Sequence, residues 1–351
     1  MPRFIKTFEM EPSFQTERQA ILAHISKIQL SSVPRSDETL LSLFRFQCKY
    51  NAIYRQYCQN LGINFDTFQH PDAIPHLPIT AFKHHEVKTG EFETEEIFLS
   101  SGTTQVLRSR HFIRNMQWYL ENTSAIWSSS FGRVQDYCFL ALLPGYLERD
   151  GSSLISMVHH FIQQSQYTES GFYLRNHEAL YKRLLHCQKS KIPVVLFGVA
   201  YALLDFTSEY SIDFPELIIM ETGGMKGQRK ELTKSELHHI LQQKTGSARI
   251  YSEYGMTELL SQAYTFGETK FRPNPMLTVH TRQVNDPLSR EKNGKSGIIC
   301  VTDLANVDSC AFIQTEDQGI VHDDGTFEIT GRLDASEWRG CNLLLEELGI
   351  D

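Results

Sequence analysis

The stretch RIYSEYGMTELL, residues 249–260, begins as an apolar run and ends in a turn crowded with ligand-binding side chains. Its first half, through Tyr254, reads as a strand, and Gly255 permits a sharp bend after it. Tyr254 offers a flat face to a purine, and Glu258 is a hard oxygen ligand suited to Mg²⁺. Each also has a plainer reading: a packed ring for the tyrosine, a solvated or helix-capping carboxylate for the glutamate. What lies at the ends of the neighbouring strands decides between them.

Working outward, EIFLSS (96–101), YCFLALLP (137–144), PVVLFGV (193–199), ELIIMETGG (216–224) and ARIYSEYG (248–255) read as buried strands, each followed by a helix-like segment. Such alternation implies an α/β fold, a largely parallel sheet flanked by helices on both faces. Ligands in such sheets sit at the carboxyl ends of the strands. Four unusual loops fall there: SSGTT (100–104), LPGYLERDGSS (143–153), ETGGMKG (221–227) and EYGMTE (253–258). The first reads as a phosphate loop without a Walker ending and, taken alone, equally as an ordinary strand-to-helix turn. Backbone N–H groups around Gly102 and the hydroxyls of Ser100, Ser101, Thr103 and Thr104 can donate to a polyphosphate with no lysine.

Beyond residue 264 the runs are short and broken by Gly, Asp and Asn, as in MLTVHTRQV, SGIICVTDL and FEIT, which predicts an antiparallel barrel or meander. Residues 14–62 read as two helices, stopped by Gly62, and HPDAIPHLPITAFK (70–83), with three prolines, reads as an extended connector. The expected division is a helical region 1–90, a parallel nucleotide-binding core 91–263, an antiparallel β subdomain 264–335 and a hinge-like tail 336–351.

The composition, 41% hydrophobic and 22% charged over 351 residues, is that of an ordinary globular protein. A formal charge of −8 argues against a general nucleic-acid binder, yet leaves ATP open, since phosphates are held by local donors. No apolar run reaches the length of a membrane span, and the amino terminus has no leader-like apolar core. Seven scattered cysteines without a Cys-x-x-Cys pair fit reduced thiols in a cytoplasmic protein. Fourteen histidines without His-x-x-x-His argue against zinc.

The SSGTT loop together with Tyr-Gly-x-Thr-Glu resembles the paired motifs of the adenylate-forming superfamily of acyl and aryl ligases. ETGGMKG looks like that family's adenine-lining loop, and FIQTEDQGIVHDDGTFEITGRLD (312–334) like its Thr-Gly-Asp and Gly-Arg-x-Asp segments, with Glu316 in place of the usual glycine. Within the superfamily, LLPGYLERDGSSL (142–154), ETGGMKGQRKEL (221–232) and GRLDASEWRGCNLLLEELG (331–349) are similar to the acyl-protein synthetases of bacterial bioluminescence (LuxE type), with phenylacetate–CoA ligases as relatives.

The resemblance implies that ATP and Mg²⁺ convert a carboxylic acid, a fatty acid in the bioluminescence relatives, to an acyl-adenylate. It places Glu258 on the metal, Thr257 on the α-phosphate, residues 100–104 on the leaving phosphates, and Tyr254, Gly223 and Gly224 around the adenine, with Gly255 in the nucleotide-binding turn. Asp317 and Arg332 would hold the ribose. The acyl group would pass to a thiol, with Cys341 the matching residue, and on to an acyl-reductase or acyl-carrier partner. Family members continue past the point matching Asp351 into a mobile domain with a catalytic lysine; Lys226 is a candidate substitute and equally a solvated loop charge. Two alternatives stay open: an acyl- or aryl-CoA ligase, and an inactive nucleotide-binding subunit.

Overall fold

The computed structural model describes residues 12–31, 35–101, 107–144, 151–223, 232–267, 269–284, 286 and 289–333. Three helices, not two, open it: α1 (Pro12–Ser31), α2 (Asp37–Tyr50) and α3 (Ala52–Asn60). The break that the sequence reading missed is Asn51. Its N–H closes α2 on the Gln47 carbonyl, and its side-chain oxygen accepts the Tyr54 N–H at 3.0 Å as the N-cap of α3. Gly62, at φ 71°, ends α3 as expected.

The proline-rich connector contributes β1 (Leu77–Pro78) and a single turn, α4 (Ala81–His84). It is followed by β2 (Glu96–Leu99), β3 (Arg110–Ile113) and α5 (Met116–Phe131). The α/β alternation is β4 (Cys138–Leu142), α6 (Ser153–Gln164), β5 (Gly171–Phe172), α7 (His177–Lys189), β6 (Val194–Val199), α8 (Ala200–Glu209), β7 (Ile218–Thr222), α9 (Lys234–Thr245) and β8 (Arg249–Tyr254). Six strands complete the described chain: β9 (Ala263–Thr265), β10 (Phe271–Arg272), β11 (Leu277–Arg282), β12 (Ser296–Asp303), β13 (Phe312–Val321) and β14 (Phe327–Arg332).

Among the described residues one continuous sheet runs β11-β12-β13-β14-β10-β9-β8-β7-β6-β4-β5, with β1 laid parallel on β13. The half from β8 to β5 is parallel and the half from β11 to β9 antiparallel; the β8–β9 pair, Tyr254 opposite Ala263, joins them. One strand departs from the sequence reading. EIFLSS is not part of the parallel sheet: β2 pairs only with β3, as an antiparallel hairpin with Leu99 opposite Arg110. A four-residue apolar run cannot by itself report which partner it takes.

Every residue of β4 and β6 is buried, as expected of central parallel strands covered on both faces. The ring of Trp127 on α5 packs against Phe139 of β4 and Phe161 of α6 at centroid distances of 5.2 and 5.4 Å. Helix α9 is pinned beneath β7 by Lys234, whose Nζ lies 2.6 Å from the buried Glu221 carboxylate. The amino-terminal helices are tied to the loop between β12 and β13. Arg18 makes a two-pronged pair with Asp308 at 2.6 Å, Gln47 donates to the Asn306 carbonyl at 2.7 Å and accepts the Ala311 N–H at 2.9 Å, and Asn51 donates to the Ser309 carbonyl at 3.1 Å. No described helix is long and apolar enough to cross a membrane. The six described cysteines are buried and unbridged.

Candidate functional site

Parallel pairing of β6, β7 and β8 brings Val199, Thr222 and Tyr254 to one edge of the sheet, where chain direction puts every strand's carboxyl end. Gly223 follows β7 with φ 67°, a left-handed conformation that favours glycine. Gly255 has no such φ. Its requirement is close approach, because a Cβ there would collide with the Glu253 carboxylate. The expected bend is therefore a contact constraint rather than a dihedral one.

The turn after β8 is held from below by Asp303, at the end of β12. Its Oδ2 accepts the N–H groups of Leu260 and Ser261 at 2.7 and 3.0 Å, and its Oδ1 accepts the Ser261 hydroxyl at 2.6 Å and the Ala305 N–H at 3.0 Å. Burial pushes this carboxyl up and the four donors pull it back, the net being upward. Asn306 donates to the Glu258 carbonyl at 2.8 Å. From the other side His111 of β3 reaches the Thr257 carbonyl at 2.8 Å.

Glu258 itself is buried at 4% exposure, and desolvation raises its pKa. Ser109, its own backbone N–H and the charge of Arg332 favour its ionised form, and the charge of Glu316 opposes it. Ser109 closes the β2–β3 hairpin: its N–H donates to Ser100 Oγ at 2.9 Å and its carbonyl accepts the Ser100 N–H at 3.1 Å. Arg108 adds a bond from Nε to the Ser100 carbonyl at 2.5 Å. Ser101 follows, exposed. Gly102, Thr103 and Thr104 lie outside the described residues, as do Gly224, Lys226 and Cys341.

Opposite the hairpin, Asp317 and Arg332 are cross-strand neighbours on β13 and β14. The Tyr254 hydroxyl donates to Asp317 Oδ2 at 2.9 Å. The ring of Tyr254 is 8% exposed, enclosed by Phe271 and Phe327 at 5.6 and 5.5 Å, so its faces are largely occupied by packing. Arg332 is exposed and donates to Glu316 at 2.9 Å, and Glu316 also takes Lys83 at 3.2 Å. Thr315, Glu316 and Asp317 run within a continuous strand, with no turn between them.

Glu253 was not singled out from sequence, although it stands directly before Tyr254. It points to the opposite face of β8, where the Thr222 hydroxyl donates to it. Complete burial pushes its carboxyl up to about 7, against the Thr222 bond and Lys234, and with the Glu221 charge adding to the rise. Asp303, Asn306, Ser109 and His111 were missed for a different reason: each acts on residues far off in the chain.

The described chain brings together Ser100, Ser109, Tyr254, Thr257, Glu258, Asp317 and Arg332 around the carboxyl end of β8. Among the described residues no cluster of three or more His, Cys, Asp or Glu is arranged to hold a metal ion unaided.

This architecture, a helix-flanked parallel sheet continuous with antiparallel strands, is that of the adenylate-forming enzymes. The chain is similar to 2-hydroxyisobutyryl-CoA ligase, solved in an open conformation with 2-HIB-AMP and CoA, at 12% identity over 85% of this chain and 70% of that one, TM-score 0.63. It is similar to ATP-bound MatB from Rhodopseudomonas palustris at 14% identity over 67% of this chain, TM-score 0.51, and spans 47% of that protein's length. At such identities the likeness is one of fold. No protein-family model and no curated protein matches the sequence.

Two expectations follow. In Asp303→Asn an amide NH₂ must face buried donors in either orientation, so the variant should lose about 2–3 kcal/mol of stability in urea titration. An unchanged midpoint contradicts the role given to this carboxylate. For Glu253 the folded pKa lies above the ordinary 4.5, so its contribution is full below that value and is lost as pH rises through about 7. The loss amounts to at most about 3 kcal/mol. Glu253→Gln should flatten the pH dependence of stability between about pH 4.5 and 7; an unaltered profile contradicts the assignment.

Proposed function

We propose that this protein activates a carboxylic acid with ATP and passes the acyl group to a thiol, with Cys341 as acceptor. The observation that carries the reading is the setting of Glu258. Its buried carboxyl is stabilised in its ionised form by Ser109, next to the β2–β3 hairpin, on one side and by the charge of Arg332, beside Asp317, on the other, and its turn is tied to β3 through His111.

In the first step a carboxylate oxygen of the acid attacks the α-phosphorus. The bond to the β-phosphate breaks, giving acyl-adenylate and pyrophosphate. The chain's task is to position reactants and neutralise phosphate charge. The loop beginning at Ser100 and Ser101 cradles the leaving phosphates, Thr257 donates to the α-phosphate, Gly223 and the rim of Tyr254 border the adenine, and Asp317 with Arg332 takes the ribose hydroxyls. Glu258 fits Mg²⁺, because that ion takes few protein ligands and fills its shell with phosphate oxygens and water. When bound, the ion would offset charge on the phosphates.

In the second step the sulfur of Cys341 attacks the acyl carbon, its proton passes to water and AMP leaves. A thiolate needs no further activation to open so reactive an ester. The acyl-thioester would then serve an acyl-reductase or carrier partner. Coenzyme A as acceptor is the second reading, supported by the likeness in fold to a ligase solved with CoA.

Incubating the full chain with Mg²⁺, ATP and radiolabelled acids of several chain lengths, with and without coenzyme A, separates these readings. The expected result is label retained on the protein under denaturing conditions, absent in Cys341→Ser, with acid-dependent ATP–pyrophosphate exchange kept in that variant. Label released as an acyl-CoA favours the second reading. No exchange with any acid overturns both.

A further inference from the structure

The phosphate hairpin and the turn that carries Glu258 come from segments separated by 146 positions between His111 and Thr257, yet they are joined by two adjacent side chains. Ser109 immediately precedes β3 and His111 lies two residues on, within it, so extended-chain alternation directs both to the same face. They meet consecutive residues of the turn: His111 hydrogen-bonds to the Thr257 carbonyl at 2.8 Å, and the Ser109 side chain favours the ionised form of the Glu258 carboxylate. A carbonyl oxygen only accepts, so Nδ1 of His111 carries the proton and donates.

Nothing about this histidine suggests a proton-transfer role. It is 1% exposed, its ring stands edge-on to Phe82 and Phe98 at 5.7 and 6.5 Å, and burial holds its pKa down to about 4. It is therefore a neutral, immobilised donor. Ser109 is equally enclosed, and its backbone simultaneously closes the hairpin on Ser100. One residue thus touches the phosphate-side loop through its main chain and the acidic side chain of the turn through its hydroxyl.

We propose that Ser109 and His111 are positioning residues that fix Thr257 and Glu258 against the phosphate hairpin, so that the ATP phosphates and their metal meet a preformed pair of groups. The proposal rests on the reading of the site given above as an ATP–metal site. Without these two bonds the turn would still be anchored from below by Asp303 and Asn306, so the fold should survive while the spacing between hairpin and carboxylate loosens.

Four variants test it: Ser109→Ala, Ser109→Thr, His111→Phe and His111→Asn. Asparagine can place an amide N–H near the position of Nδ1, whereas phenylalanine fills the space without a donor. Two readouts are used: Mn²⁺ binding in the presence of ATP, followed by electron paramagnetic resonance, and ATP–pyrophosphate exchange with separate KM values for ATP and acid. Ser109→Ala and His111→Phe should weaken Mn²⁺·ATP binding at least fivefold and cut exchange about tenfold or more, with the KM for the acid within twofold of wild type. Ser109→Thr and His111→Asn should recover most of both. Equal losses in His111→Phe and His111→Asn, or unchanged Mn²⁺·ATP affinity in Ser109→Ala, overturn the proposal. If His111→Phe does not fold, the serine pair decides. Wild-type protein that binds Mn²⁺·ATP but exchanges pyrophosphate with no acid would sink the proposed reaction and leave the metal readout to judge the positioning role.

Discussion

A single buried carboxylate, Asp303, fixes the geometry on which the candidate site depends. It ends the longest run of buried residues in β12 and spends all its acceptor capacity on the segment just past Glu258 and on the first turn of its own loop. A charge so enclosed is unfavourable unless its lone pairs are all engaged. The arrangement is accordingly nearly all-or-none, and it welds the parallel half of the sheet, through the turn after β8, to the antiparallel half. The residues placed across that seam, Glu258 in the turn on one side and Asp317 with Arg332 on strands on the other, are about sixty residues or more apart in the chain and are brought within electrostatic reach of each other.

The amino-terminal helices make sense in the same terms. They carry none of the groups assigned to the nucleotide, yet they grip the loop that follows Asp303 through Arg18, Gln47 and Asn51. Gln47 bonds to the Asn306 carbonyl while the Asn306 amide bonds to the Glu258 carbonyl, so α2 and the turn lie at the two ends of one short hydrogen-bonded chain. The region for which the sequence offered no motif is thus structural support for the region that had one.

How much could be read beforehand follows from the range of the interactions. Central strands such as β4, β6 and β7 were legible because burial on both faces forces an uninterrupted apolar run, and short apolar runs broken by turn residues marked the antiparallel half. The need for a glycine at Gly255 was legible as well, though for a different physical reason than expected. EIFLSS was placed in the wrong sheet because pairing partners are a property of the whole topology and four residues do not encode one. Asn51 was missed because an asparagine can cap a helix or merely follow it, and only its two hydrogen bonds distinguish these. Asp303, Ser109 and His111 were illegible for a simpler reason: an aspartate in VTDLAN and a histidine in RSRHFI look like any others until the fold brings their partners to them. Tyr254 was read as an open platform, and its neighbours Phe271 and Phe327 instead enclose it and direct its hydroxyl to Asp317.

The central claim is that separated turns face one nucleotide. Hydrogen–deuterium exchange of the full chain, with and without Mg²⁺ and ATP, tests it most directly. The account expects slowed exchange together in peptides covering residues 97–111, 219–223, 252–262 and 312–333. Protection confined to one of these segments, or absent from all, would contradict it.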